Sequence, residues 1–182
     1  METSLRQRCL AALKRFARAC AGVTAIEAAL VMPAFLFTAF GIIEVALLYF
    51  VAATLEGQVS QASRQIRTGN VQQSGDPQAA FRALLCGNLG GLVTCSDVII
   101  DVRRFGSFGA VSYPPYFDND GEADNAQFTP GAPGDIVVVR VAYRWRILTP
   151  FLAEFLGDGG GATKLLAAST VFQNEPYQGA LN

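Results

Sequence analysis

The chain has 182 residues, 51 % of them hydrophobic and only 16 % charged, with a formal net charge of −1 and a mean hydropathy of +0.30. It contains no histidine, which excludes Ser-His-Asp and Cys-His triads, histidine-ligated zinc and an imidazole proton shuttle. The length suits one modest domain with an additional element.

Residues 1–22 carry Arg6, Arg8, Lys14, Arg15 and Arg18 against Glu2, a net +4, which leaves −5 on the remainder. The next stretch, Ala28 to Leu55, holds one charge, Glu44, in 28 residues. A bilayer core of about 30 Å takes about 20 helical residues, so this stretch is long enough to span. The basic flank keeps the N-terminus in the cytoplasm and sends the C-terminal portion across the membrane. An ordinary secretory signal cleaved near Val51-Ala52-Ala53 is the alternative. Its apolar region runs to only about 7–15 residues, and this one is much longer and contains glutamates. Two carboxylates need reasons, since each costs about 2.5 kcal/mol or more in lipid. Glu27 lies five residues after Gly22, so a cut between Gly22 and Val23 creates an α-amino group that can neutralise Glu27 of a neighbouring subunit. An interfacial, snorkelling Glu27 is the plainer reading. Glu44 is expected at a helix–helix contact within the membrane, protonated and hydrogen-bonded. Pro33 removes a backbone donor and softens the helix.

The order of basic leader, Gly22, Glu27 and an apolar helix with early Pro33 resembles a class IV prepilin. More narrowly, residues 22–69 resemble the TadE-like pseudopilin family of tight-adherence (Tad/Flp, type IVc) pilus systems. The shared features are Val31-Met32-Pro33-Ala34-Phe35-Leu36, Gly41-Ile42-Ile43-Glu44 and the closing Arg67-Thr68-Gly69. The Cys86…Cys95 pair and the ending Asn174-Glu175-Pro176-Tyr177 are also similar to this family. Major Flp pilins typically follow the glutamate with tyrosine, whereas Ala28 stands here, which implies a minor component. The resemblance implies cleavage between Gly22 and Val23 by a membrane prepilin peptidase, with Glu27 as recognition and assembly carboxylate. It also implies partners among other Tad/Flp pilins and the assembly platform in the inner membrane, and a role in adhesion and biofilm formation.

Beyond the span, Leu55, Val59, Ala62 and Ile66 form one apolar helical face, and Thr68-Gly69-Asn70 stops the helix. The domains expected are a leader (1–22), a transmembrane helix continuing as an amphipathic helix (23–70) and a periplasmic α+β domain (71–182). After a polar turn, Asp76 and Pro77 are an N-cap and first-turn pair opening a helix to about Leu85. Cys86 and Cys95, nine apart in an oxidising periplasm, read as a disulfide. Without histidine or a CxxC motif a zinc or redox site has little support. Cys9 and Cys20, in the leader, stay on the reducing side.

Three strands follow, Val98–Phe105, Asp135–Leu148 and Thr163–Gln173, predicting a three-stranded antiparallel sheet packed on the long helix in a pilin-like α+β fold. In the second strand Val137, Val139, Val141, Tyr143, Trp145 and Ile147 share one face. Val138, Arg140, Ala142, Arg144 and Arg146 share the other, which is read as solvated. With −5 on the chain beyond the leader, nucleic acid is not an expected partner. The acidic run Asp118 to Asp124 is read as an exposed loop. Calcium binding, known in some pseudopilins, is its alternative, although the run lacks a complete calcium-loop ligand set. Thr149 to Leu156 is a short apolar helical turn, and Gly159-Gly160-Gly161 a flexible link without phosphate chemistry. No cofactor, metal or small-molecule substrate is expected. The other readings are a type II secretion pseudopilin and an uncleaved signal-anchored periplasmic binding or enzyme domain. Asp97 and Asp101 keep the enzyme reading open, with no nucleophile beside them.

Overall fold

The computed structural model describes residues 23–87, 89, 91–116, 126–158 and 161–177. The expected cleavage residue Gly22, the cysteines Cys9 and Cys20 and the acidic run 118–124 lie outside the described residues. The chain divides into two compact units, Met1–Ile43 and Glu44–Asn182.

Helix α1 spans Val23–Arg67. In the first unit every described α1 side chain from Thr24 to Ile43 is exposed or, at Ala39 and Gly41, half-exposed. The exposed set includes Ile26, Leu30, Val31, Phe35 and Phe40, each at least 60 % accessible. Such a surface is tolerated in lipid or against other apolar chains and not in water. The helix continues through Pro33. Downstream, Thr38 donates its hydroxyl to the Ala34 carbonyl at 2.9 Å.

The second unit begins at Glu44. Here α1 buries Val51, Leu55, Val59, Ala62 and Ile66, each at most 3 % exposed, at spacings of three and four that place them on one stripe. The expected face is present and extends one turn further back, to Val51. The apolar run Ala28–Leu55 therefore crosses the boundary between the units: Val51 and Leu55 join this unit's core, while Leu47, Tyr49 and Phe50 remain exposed.

Helix α1 ends at Arg67 and is closed just beyond by Gly69, whose φ of +82° is the left-handed cap conformation. Helix α2, Pro77–Cys86, starts on Asp76, whose carboxylate accepts the Ala79 N–H at 3.0 Å, and it buries Phe81 and Leu85. The strands are β1 (Ile99–Phe105), β2 (Ile136–Arg146) and β3 (Thr163–Gln173), antiparallel in the order β1-β2-β3. The α+β architecture is as expected, with strand ends moved by one or two residues. Helix α3, Pro150–Leu156, interrupts the β2–β3 connection.

One sheet face joins the core through Ile100, Val102, Val137, Val139, Val141, Leu166 and Ala168, with Tyr143 and Trp145 packed at its margin. The opposite face corrects the expectation of a solvated row. Val138, Arg140 and Ala142 are at most 4 % exposed, and only Arg144 and Arg146 are open. The 106–134 connection supplies contacts on that side: the Pro114 carbonyl accepts from Arg140 at 2.6 Å, and the Tyr116 ring lies 4.6 Å from the guanidinium carbon. Farther on, Phe128 forms a parallel bridge with Val102, and its ring packs 5.7 Å from that of Phe81.

Candidate functional site

The chemistry-bearing positions along α1 are Val23, Glu27, Pro33 and Glu44. Val23 is the first helical residue described, and Glu27, one turn in, is exposed. A carboxylate so placed on an otherwise apolar helix surface is open to a partner charge.

Glu44 lies elsewhere than the sequence suggests. Instead of facing another membrane helix, its side chain is 8 % exposed, and its carboxylate accepts the backbone N–H groups of Leu148 and Thr149, the latter at 2.9 Å. The Thr149 hydroxyl also donates to it. Thr149 is the N-cap residue of α3 and makes no side-chain capping bond to that helix. The carboxylate thus satisfies backbone donors where β2 gives way to α3. Its partners lie more than a hundred positions away, and no local pattern announces them.

The end of α1 carries a second constellation. Arg67 pairs with Glu175 at 2.7 Å, and the Glu175 N–H donates to the Arg67 carbonyl at 2.9 Å. The Tyr177 ring covers Gly69 so closely that a β-carbon there would lie 2.4 Å from it, and its hydroxyl donates to the Gly131 carbonyl at 3.3 Å. Burial raises the Tyr177 phenol above its ordinary value, aided by the Asp135 charge. Asn174, 3 % exposed, donates its amide to the Pro130 and Ala132 carbonyls. Arg67-Thr68-Gly69 and Asn174-Glu175-Pro176-Tyr177, separate marks in the sequence, form one clasp.

Cys86 and Cys95 are joined in a disulfide, with Cα atoms 6.0 Å apart. Arg82 of α2 donates to the Cys95 carbonyl at 2.8 Å, fixing the far side of that loop.

Asp101 is not a free acid. It is 2 % exposed, directly opposite Arg140 in the β1–β2 register, and forms ion pairs with Arg140 and Arg103. It also accepts the Gln127 N–H at 3.0 Å. Asp97 receives the Ser96 hydroxyl at 2.8 Å. The two acids therefore have different partners, Asp101 among arginines and a backbone N–H and Asp97 beside Ser96.

Residues 22–64 match the TadE-like protein family model. The match opens at the Gly22–Val23 junction, covers the exposed apolar segment and Glu44, and ends on the amphipathic part of α1. The TadE-like segment therefore contains Val23, Glu27, Pro33 and Glu44 together, while the sheet and the clasp residues lie outside it. No curated protein and no solved structure matches the chain. Among the described residues α1 is the one helix long and apolar enough to cross a membrane.

Proposed function

We propose that the protein is a minor pilin-like subunit of a Tad/Flp (type IVc) pilus, a structural and assembly component supporting adhesion and biofilm formation. It enters the bacterial inner membrane as a single-pass precursor, N-terminus in the cytoplasm and the disulfide-bonded sheet domain in the periplasm. A prepilin peptidase cuts between Gly22 and Val23. The cut removes the +4 leader, so the anchoring charges of positive-inside topology are lost and the helix is free to leave lipid for a stack of like helices. Glu27 then meets the new α-amino group of a neighbour, which offsets the cost of a carboxylate in apolar surroundings.

The observation carrying this reading is the TadE-like match, which begins at the proposed junction and covers the outward-facing apolar helix. Intact-mass and N-terminal analysis of the protein from its native host tests it, with Val23 as the expected first residue. A chain starting at Met1 makes it a plain signal anchor, and a start at Thr54 makes it an ordinary secreted domain. Either result overturns the proposal.

A further inference from the structure

The two edges of the sheet are finished differently. At the β1 edge the Val102 N–H donates to the Gln127 carbonyl at 2.7 Å, and the Thr129 N–H donates to the Val102 carbonyl at 2.8 Å. The β3 edge is tied only near its start. Even-numbered residues along β3 bond to β2, a phase fixed at both ends of the ladder. The Ile147 N–H donates to the Ala162 carbonyl at 2.8 Å, and the Asn174 N–H to the Asp135 carbonyl at 2.9 Å. In an antiparallel ladder the intervening residues turn their N–H and C=O groups the other way. The Leu165 N–H is taken by the Asp158 carboxylate, whereas those of Ala167, Ser169 and Val171 have no partner among the described residues. Edge strands that face water are normally broken by charge, proline or a bulge. From Leu165 to Gln173 β3 has no charge, proline or glycine, and its register with β2 runs one to one.

Beside β3 lies a groove of about 290 Å³. Residues 170–172 form one wall, and Ser60, Ser63, Arg64 and Arg67 of α1 form the other, positions whose spacings of three and four keep them on one flank of the helix. Thr170 and Phe172 pair with Val139 and Val137 of the core face, so a strand added to β3 would point alternate side chains toward α1. Ser63 is 3 % exposed, and its hydroxyl has no hydrogen-bond partner among the described residues, a costly state for a buried donor. Arg67 is paired with Glu175, whereas Arg64 is exposed and has no ion pair among the described residues. The groove thus combines an unmatched cation, a donor lacking an acceptor and a strand edge lacking a neighbour. A carboxylate on an extended chain meets all three, because it accepts from both the Ser63 hydroxyl and the Arg64 guanidinium.

We propose that an extended acidic segment of a partner protein adds to β3 as a fourth strand, bonding to the backbone of Ala167, Ser169 and Val171, with one glutamate or aspartate seated on Ser63 and Arg64. Main-chain hydrogen bonds supply the pairing, and the carboxylate site supplies the selectivity. Every residue involved lies in the second unit, so the inference stands or falls independently of the pilus reading.

Titration of the detergent-solubilised full chain with the blocked peptide acetyl-Thr-Val-Glu-Val-Thr-Val-amide, followed by amide chemical shifts and hydrogen exchange, tests it. The alternation puts the peptide's glutamate and threonines on one face and its valines on the other. Saturable shifts are expected along β3, with slowed exchange at the Ala167, Ser169 and Val171 amides. Affinity is expected to fall about tenfold when glutamine replaces the peptide's glutamate, and equally in the Arg64→Gln variant. Two further peptides, N-methylated on alternate residues in opposite phase, separate strand addition from side-chain binding. One is expected to bind and the other to fail, since only one peptide edge meets β3. No saturable shift at millimolar peptide, equal affinity for the glutamate and glutamine peptides, or the same result with both methylated peptides overturns the proposal. Exchange at the three amides that is already slow in the free chain and quickens on dilution assigns the edge to a second copy of the chain, which also overturns it.

Discussion

Arg140 sits mid-strand in β2, 4 % exposed, with a carboxylate, a carbonyl and an aromatic ring around its guanidinium. Removing one partner of such a pair leaves an uncompensated buried charge, which costs about 3–5 kcal/mol, whereas replacing both by apolar residues of similar volume is often nearly neutral. Asp101→Ala is therefore expected to lower the urea midpoint strongly, and Asp101→Leu combined with Arg140→Met to recover most of the loss, as denaturation of the detergent-solubilised chain will show. The pair was not legible in the sequence. Strand alternation places Arg140, Arg144 and Arg146 on one face, but periodicity carries no information on which of them a distant loop covers. Segment 111–116 covers the first and leaves the other two open. Glu44 was legible as an anomaly and not as a capping carboxylate, for the same reason: its partners are 104 and 105 positions away.

At the scale of elements, the clasp holds the end of α1. Gly69 occupies the left-handed region and has the Tyr177 ring where a β-carbon would go. Gly69→Ala is expected to destabilise the chain by about 1–2 kcal/mol from backbone conformation alone, and further through displacement of the ring. In the Tyr177→Ala background the same substitution should cost measurably less, because contacting residues couple. Thermal melts of the two single variants and the double variant check this. The α3–β3 connection has its own tie: Asp158 accepts from the Lys164 ammonium and the Leu165 N–H, both at 2.6 Å. The lysine hydrogen bond and then the backbone hydrogen bond hold its carboxyl below the ordinary value. A depressed folded-state value means that the stabilisation is present above the unfolded carboxyl range, near 3.9, and is lost as pH falls through the folded value. Asp158→Asn should thus lower the melting temperature slightly at pH 7 and leave it unchanged at the acid extreme. The effect is small because the pair is solvent-screened. The helix stripe and the three strands were legible because 3.6- and 2-residue periods survive in the sequence, as in Leu55-Val59-Ala62-Ile66 and Val137-Val139-Val141. The clasp was visible only as two unconnected motifs.

Among the described residues, the buried core side chains run from Val51 onward and all belong to the second unit. A chain beginning at Glu44 is expected to retain the disulfide, the sheet signature in circular dichroism and a melting temperature within a few degrees of the full chain in the same detergent. A large drop would place part of the core in residues 1–43. The long apolar run was the most conspicuous feature of the sequence, yet its partition at Glu44 was hidden, because leucine and valine look alike whether they meet lipid or a sheet. The clasp also bears on the order of events during synthesis. Glu175 and Tyr177 emerge more than a hundred residues after Gly69, which at about 5–20 residues per second is a delay of roughly 5–20 s. Until then the end of α1 lacks its closing partners and Gly69 is uncovered. The domain therefore completes its fold only after the whole sheet has been delivered, and a chain stalled before residue 174 leaves that joint open to proteases.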